Sequence, residues 1–172
     1  MRSLILGGAR SGKSALAERW AADSGMAVTY IATSQAKDGE MAERIAHHRS
    51  RRPASWDCVE EPLALADVLR THASPGHLLL VDCLTLWLSN LLCLEDEARF
   101  ASERDALLDA VSTLPGELIF VSNEVGLGIV PMGALSRRFV DEAGRLHQQL
   151  AVRCERVVFV AAGLPLALKG SL

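Results

Sequence analysis

Leu4-Ile5-Leu6-Gly7-Gly8-Ala9-Arg10-Ser11-Gly12-Lys13-Ser14 is the stretch on which the fold turns. Three aliphatic residues run straight into Gly-x-x-x-x-Gly-Lys-Ser, the phosphate-loop pattern, and Ala15 to Ala22 continues with good helix formers. The reason for the pattern is steric and electrostatic. Glycine lets backbone N–H groups turn inward around phosphate oxygens, and a following helix offers its positive N-terminal end to the same anion. Gly7, Gly8, Ala9, Arg10, Ser11 and Gly12 form the cradle, Lys13 is expected to reach the outer phosphates, and Ser14 to ligate Mg²⁺. Strand, loop and helix in that order predict an α/β fold of the P-loop nucleotide-binding class.

The rest of the chain alternates in the same way. Apolar or β-rich runs at 27–32, 55–60, 77–82, 118–121 and 157–161 are separated by helical stretches at 38–49, 63–71, 84–94, 95–114 and 133–153, and 163–166 adds an edge strand. Alternation from end to end predicts a mostly parallel sheet covered by helices on both faces. With 172 residues, a single domain spanning 1–172 is expected.

Charge and cysteine usage narrow the function classes. Against 18 Lys+Arg stand 21 Asp+Glu, a net charge of −3, which argues against nucleic-acid or anionic-membrane affinity carried by overall charge. The longest apolar stretch, Leu84 to Leu94, is too short to span a bilayer and reads as a buried helix or a subunit contact. Cys58, Cys83, Cys93 and Cys154 lack metal-ligand spacing, and no signal precedes the loop. A cytoplasmic protein with reduced, mostly buried thiols and no tightly bound prosthetic group is expected.

In a parallel sheet, ligands gather at the C-terminal edge of the strands. Asp82, closing the run His77-Leu78-Leu79-Leu80-Val81, either approaches Mg²⁺ there or caps the next helix. Thr33 and Ser34 either line a nucleotide or serve as turn and capping residues. Glu60 and Glu124 end further strands at the same edge. After Glu124, the apolar loop Val125-Gly126-Leu127-Gly128-Ile129-Val130-Pro131 either receives a large, partly apolar substrate or plugs a neighbouring subunit or the core. Arg44-Ile45-Ala46-His47-His48-Arg49-Ser50-Arg51-Arg52 is locally basic in a slightly acidic chain. It reads as a solvated helix end or as a site that manages polyphosphate charge with a histidine.

These motifs together resemble one family over essentially the whole chain: the bifunctional adenosylcobinamide kinase / adenosylcobinamide-phosphate guanylyltransferases of cobalamin biosynthesis. The resemblance is carried by the phosphate loop, Tyr30-Ile31-Ala32-Thr33, Glu40-Met41, Arg44-Ile45-x-x-His48-Arg49-x-x-Arg52-Pro53, Val81-Asp82-Cys83-Leu84-Thr85 and Ser122-Asn123-Glu124-Val125-Gly126-x-Gly128-Ile129-Val130-Pro131. It implies phosphorylation of the aminopropanol hydroxyl of adenosylcobinamide by GTP or ATP. A second reaction then transfers GMP from GTP onto that phosphate through a covalent GMP-histidine. Physics does not choose between His47 and His48; the family pattern lands on His48 as the catalytic nucleophile. The same carry-over assigns nucleotide contacts to Gly7 through Ser14, to Ala32, Thr33 and Ser34, to Arg49, Ser50, Arg51 and Arg52, and to Glu60 and Asp82. Ser14 and Asp82 are the implied Mg²⁺ ligands, and a homotrimer is implied. Two other classes stay open on the residues alone: a P-loop small-molecule kinase without guanylyl transfer, and a nucleotide-dependent binding module.

Overall fold

The computed structural model describes residues 1–34 and 53–172. Within them a seven-stranded sheet is ordered β3-β2-β4-β5-β1-β6-β7, from β1 (Arg2–Gly7), β2 (Ala27–Ala32), β3 (Asp57–Glu60), β4 (His77–Asp82), β5 (Glu117–Asn123), β6 (Arg156–Ala161) and β7 (Leu164–Lys169). β1 to β6 pair in parallel and β7 joins β6 antiparallel. The described helices are α1 (Lys13–Asp23), α2 (Leu65–His72), α3 (Leu84–Leu92), α4 (Glu97–Thr113) and α5 (Ala134–Arg153). The expected helix at 38–49, with His47, His48, Arg49, Ser50, Arg51 and Arg52, lies outside the described residues.

Continuous apolar strands belong in such a sheet because both faces are covered, and the two-residue period divides each run between them. Leu79 and Val81 of β4, Leu118 and Phe120 of β5, and Leu4 and Leu6 of β1 pack with α2, α3, α4 and α5. Their neighbours Leu78, Leu80, Ile119, Val121 and Ile5 face the opposite way, onto Leu16, Ala17 and Ala21 of α1. Helices therefore lie on both faces, as expected. The connection from β1 through α1 runs on one face while that from β5 through α5 to β6 runs on the other. This divergence opens a crevice at the C-terminal end of β1, where such sheets bind ligands.

Of the two readings of the segment 84–94, the buried helix holds, and one other expectation changes. Leu84, Trp87, Leu88, Leu91 and Leu92 of α3 are buried by the chain's own helices and strands, so this apolar segment needs no second subunit to cover it. All-round hydrophobicity is met because α3 is wedged among β5, α4 and α5. Of the four thiols, Cys83 and Cys154 are buried but Cys58 and Cys93 are exposed, so the thiols are not mostly buried. Cys58 lies on β3, at the end of the strand order, and Cys93 follows the last turn of α3.

Candidate nucleotide site

The phosphate loop closes as its glycines require. Gly12, at φ 99°, is the N-cap of α1, and no acidic side chain sits in the helix's first turn to compensate its positive end. A Cβ on Gly7 would meet the Val160 carbonyl oxygen at 2.5 Å, and one on Gly12 the Cα of Gly163 at 3.1 Å. The turn between β6 and β7 thus braces the loop from behind, and the Gly163 N–H donates to the Ser11 carbonyl at 2.8 Å. Ser11 Oγ is buried with no hydrogen-bond partner among the described residues. Such a group is costly to leave unpaired unless the site supplies a partner.

Lys13 is buried and donates from Nζ to the Gly8 carbonyl at 3.1 Å, so its ammonium lies folded along the loop. Burial pulls its pKa below the ordinary lysine value, partly offset by attraction to Asp82. The cation on the loop and the carboxylate at the end of β4 therefore share one electrostatic environment. Ser14, the second residue of α1, and Asp82 supply a hydroxyl and a carboxylate. This oxygen set fits Mg²⁺, which takes one or two protein ligands and the rest from phosphate and water. Bound there, the ion would neutralise phosphate charge.

Strand register places the other expected residues. Ala32 pairs with both Asp82 and Glu60, so the ends of β2, β3 and β4 are level, while Gly7 is level with Asn123 and Val160. Ser34 is half-buried at the same edge and Glu60 is exposed at the end of β3. Thr33 is fully buried. Its hydroxyl donates to the Cys83 carbonyl at 2.7 Å and accepts from the Cys83 N–H at 3.1 Å. That exchange ties β2 to the residue after Asp82.

Several positioning groups were not singled out from sequence. Asn90 donates to the Thr33 carbonyl at 2.9 Å and to the Pro62 carbonyl at 3.2 Å, anchoring the segments that leave β2 and β3. Thr85 Oγ1 accepts from Asn123 Nδ2 at 2.9 Å, joining the ends of β4 and β5. Glu61 accepts from the Leu63 and Ala64 N–H groups, both at 2.8 Å, fixing the turn that leads into α2. His147 is buried on α5, with Nε2 2.8 Å from Ser122 Oγ and Nδ1 3.8 Å from Glu124 Oε2. Its signal in sequence is a histidine on the apolar face marked by Ala143, Leu146 and Leu150.

Burial lowers the His147 pKa below its ordinary 6.5, with Glu124 opposing the shift. The unfolded chain therefore takes up the proton first as pH falls, and stability drops below about pH 6.5 until the folded pKa is reached. In equilibrium denaturation, His147→Asn is expected to lose less stability than the wild type between neutral pH and about pH 5.5.

The loop 125–132, at the same edge, is not in the core: Ile129 is 97 % and Met132 96 % exposed, and Leu127 and Val130 also face outward. The stripe expected on α5 leaves the core at its N-terminal end, where Leu135 is exposed.

A parallel sheet, a glycine-built loop at its edge, a buried lysine and a strand-end aspartate define a P-loop NTPase-like domain. The fold agrees with solved structures: the RadB recombinase (TM-score 0.52, 15% identity, 92% of this chain and 73% of that one) and a Pyrococcus horikoshii OT3 protein (TM-score 0.56, 8% identity, 99% and 87%). Residues 3–168 match the family model described as cobinamide kinase / cobinamide phosphate guanyltransferase, and the chain belongs to that family of bifunctional enzymes. It is 67% identical over 170 residues to the bifunctional adenosylcobalamin biosynthesis protein CobP of Pseudomonas aeruginosa, covering 99% of this chain and 98% of the relative. It is 40% identical over 182 residues to CobU of Escherichia coli K12, covering 98% and 100%.

Proposed function

We propose that the chain phosphorylates the aminopropanol hydroxyl of adenosylcobinamide with GTP or ATP, then transfers GMP from GTP onto the product through a GMP-His48 intermediate. Adenosylcobinamide-GDP and pyrophosphate are the end products. The observation that carries this reading is the phosphate loop with the buried Lys13 folded along it, its charge felt by Asp82 at the end of β4, in a chain of this family. Gly7 to Ser14 hold the phosphates, and Ala32, Thr33, Ser34, Glu60 and Asp82 are assigned to the nucleotide along the remaining edge, where Ala32 is level with Glu60 and Asp82, with Mg²⁺ assigned to Ser14 and Asp82. Arg49, Ser50, Arg51 and Arg52 complete the nucleotide set by family pattern, outside the described residues. The exposed apolar loop 125–132 supports a large, partly apolar acceptor at this edge. A homotrimer working in the cytoplasm completes the proposal. Among the described residues no helix is long and apolar enough to cross a membrane.

The chemistry explains the assignment of residues. A neutral imidazole attacks the α-phosphorus, the bond from that phosphorus to the bridging oxygen breaks, and pyrophosphate leaves from the loop. The acceptor phosphate then displaces the imidazole. Incubation with α-labelled GTP followed by denaturation is expected to leave acid-labile, alkali-stable label on the protein. An active kinase without retained label would be an ordinary small-molecule kinase, and GTP binding without consumption in the presence of adenosylcobinamide would mark a binding module.

A further inference from the structure

We propose that Glu124 is the carboxylate that accepts the acceptor alcohol's proton in the phosphoryl-transfer reaction, and that His147, backed by Ser122, is the positioning residue that holds it there. The inference rests on the functional reading above and adds to it the base and its support.

Backbone placement comes first. β5 lies between β1, which carries the phosphate loop, and β4, which carries Asp82. Glu124 is the first residue past β5, and its N–H donates to the carbonyl of Gly7, the first loop residue, at 3.0 Å. A terminal phosphate flanked by Lys13 and Asp82 has this carboxylate on the side where the sheet ends between them.

The side chain is then held by one hydrogen bond and faced by one imidazole. Oε1 accepts from the Gly126 N–H at 2.6 Å, and Oε2 faces His147 Nδ1 at 3.8 Å. Ser122 is fully buried beneath, and its hydroxyl meets His147 Nε2 at 2.8 Å. With Nε2 accepting from the Ser122 hydroxyl, the Nδ1 proton turns to the carboxylate, an approach at 3.8 Å that is electrostatic and closes to a hydrogen bond only with a small shift of the Glu124 side chain. The Glu124 side chain is 23% exposed. Its uncommitted lone pairs remain open to a hydroxyl. The exposed apolar loop begins directly after it, so an acceptor lying on that loop would bring its alcohol to Glu124.

The step balances without a further reagent. The alcohol oxygen forms a bond to the γ-phosphorus, the bond from that phosphorus to the β–γ bridging oxygen breaks, the nucleoside diphosphate departs, and the hydroxyl proton passes to Glu124 and on to water. A buried histidine paired to a serine merely to fill the core would leave this step untouched.

The test uses the full chain and reads two half-reactions: phosphorylation of adenosylcobinamide, and GMP labelling of the protein, which needs no corrinoid. Glu124→Gln keeps the shape and removes the base. Kinase kcat is expected to fall by about 100-fold or more, while GMP labelling falls by less than about fivefold. His147→Asn keeps a donor on the Nδ1 side, whereas His147→Gln reaches only toward Ser122. Both should lower the melting temperature alike, yet His147→Asn should keep about tenfold more kinase kcat than His147→Gln. Retention of kinase activity by Glu124→Gln, loss of both half-reactions together, or kinase rates that track melting temperature across the His147 pair would each overturn the inference and leave the functional reading standing. A wild-type chain that neither phosphorylates the corrinoid nor takes the label would overturn that reading, and the inference with it.

Discussion

His48→Ala is expected to abolish both the retained GMP label and the formation of adenosylcobinamide-GDP, and His47→Ala to leave both measurable. The expectation is absolute in the first case because the proposed mechanism makes the imidazole a reactant. Without a nitrogen to attack the α-phosphorus there is no phosphoramidate, and two anions would have to meet directly across one transition state. Alanine also removes little else, so a melting temperature close to the wild type would separate lost chemistry from lost folding. The family pattern Arg44-Ile45-x-x-His48-Arg49 supplies the register, and helical spacing of four would put Arg44 and His48 on one face. The opposite outcome, label lost with His47→Ala and kept with His48→Ala, would show that register to be off by one. Kinase activity in His48→Ala is a separate reading, since phosphoryl transfer to the corrinoid requires the cradle and no histidine nucleophile.

The parts of this protein that sequence reveals are those whose signal is local. The phosphate loop is legible because its pattern lies within eight adjacent residues, and the backbone turns there as glycine allows, with Gly12 at positive φ, while the close approach of Gly7 to the Val160 carbonyl comes from the far end of the chain. The strands are legible because burial on both faces demands unbroken apolar runs. What stayed ambiguous depends on partners far away in the chain. Thr33 has the same sequence context whether its hydroxyl meets a nucleotide or Cys83, fifty residues on, and only the alignment of β2 with β4 decides. The largely apolar α3 reads alike as a buried helix or a subunit contact, and the chain's own α4 and α5 resolve it. His147 was invisible as a functional candidate because its partners Ser122 and Glu124 end another element, β5, more than twenty residues earlier. The loop 125–132 reads alike as a seat for an apolar substrate or as a plug for a subunit or the core, and the structure removes the last of these, with Ile129 and Met132 almost wholly exposed.

Lys13→Met is expected to remove both half-reactions, each by at least about 100-fold, because both need the same cation against the same phosphates. In phosphorylation the ammonium would offset charge on the transferring group, and in guanylylation it would hold the departing pyrophosphate. The variant should nevertheless melt no lower than the wild type when no nucleotide is present. Burial holds the Lys13 pKa below 10.5, so the folded protein binds this proton less tightly than the unfolded chain does. The resulting penalty is fully present below the folded pKa and lifts only as pH rises toward 10.5, which leaves it in force at neutral pH. A thioether of similar length carries no such cost, and the Gly8 carbonyl it would release sits in a half-buried loop within reach of water. Nucleotide with Mg²⁺ at about 100 times its dissociation constant should stabilise the wild type by about 2.7 kcal/mol, or about 5–10 °C in melting temperature for a chain of this size. Lys13→Met should lose most of that shift, so the two proteins diverge only when ligand is added. A variant that melts well below the wild type without ligand would show that Lys13 is a structural strut. One that keeps the full ligand shift would show that the phosphates lie elsewhere than in the Gly7 to Ser14 cradle.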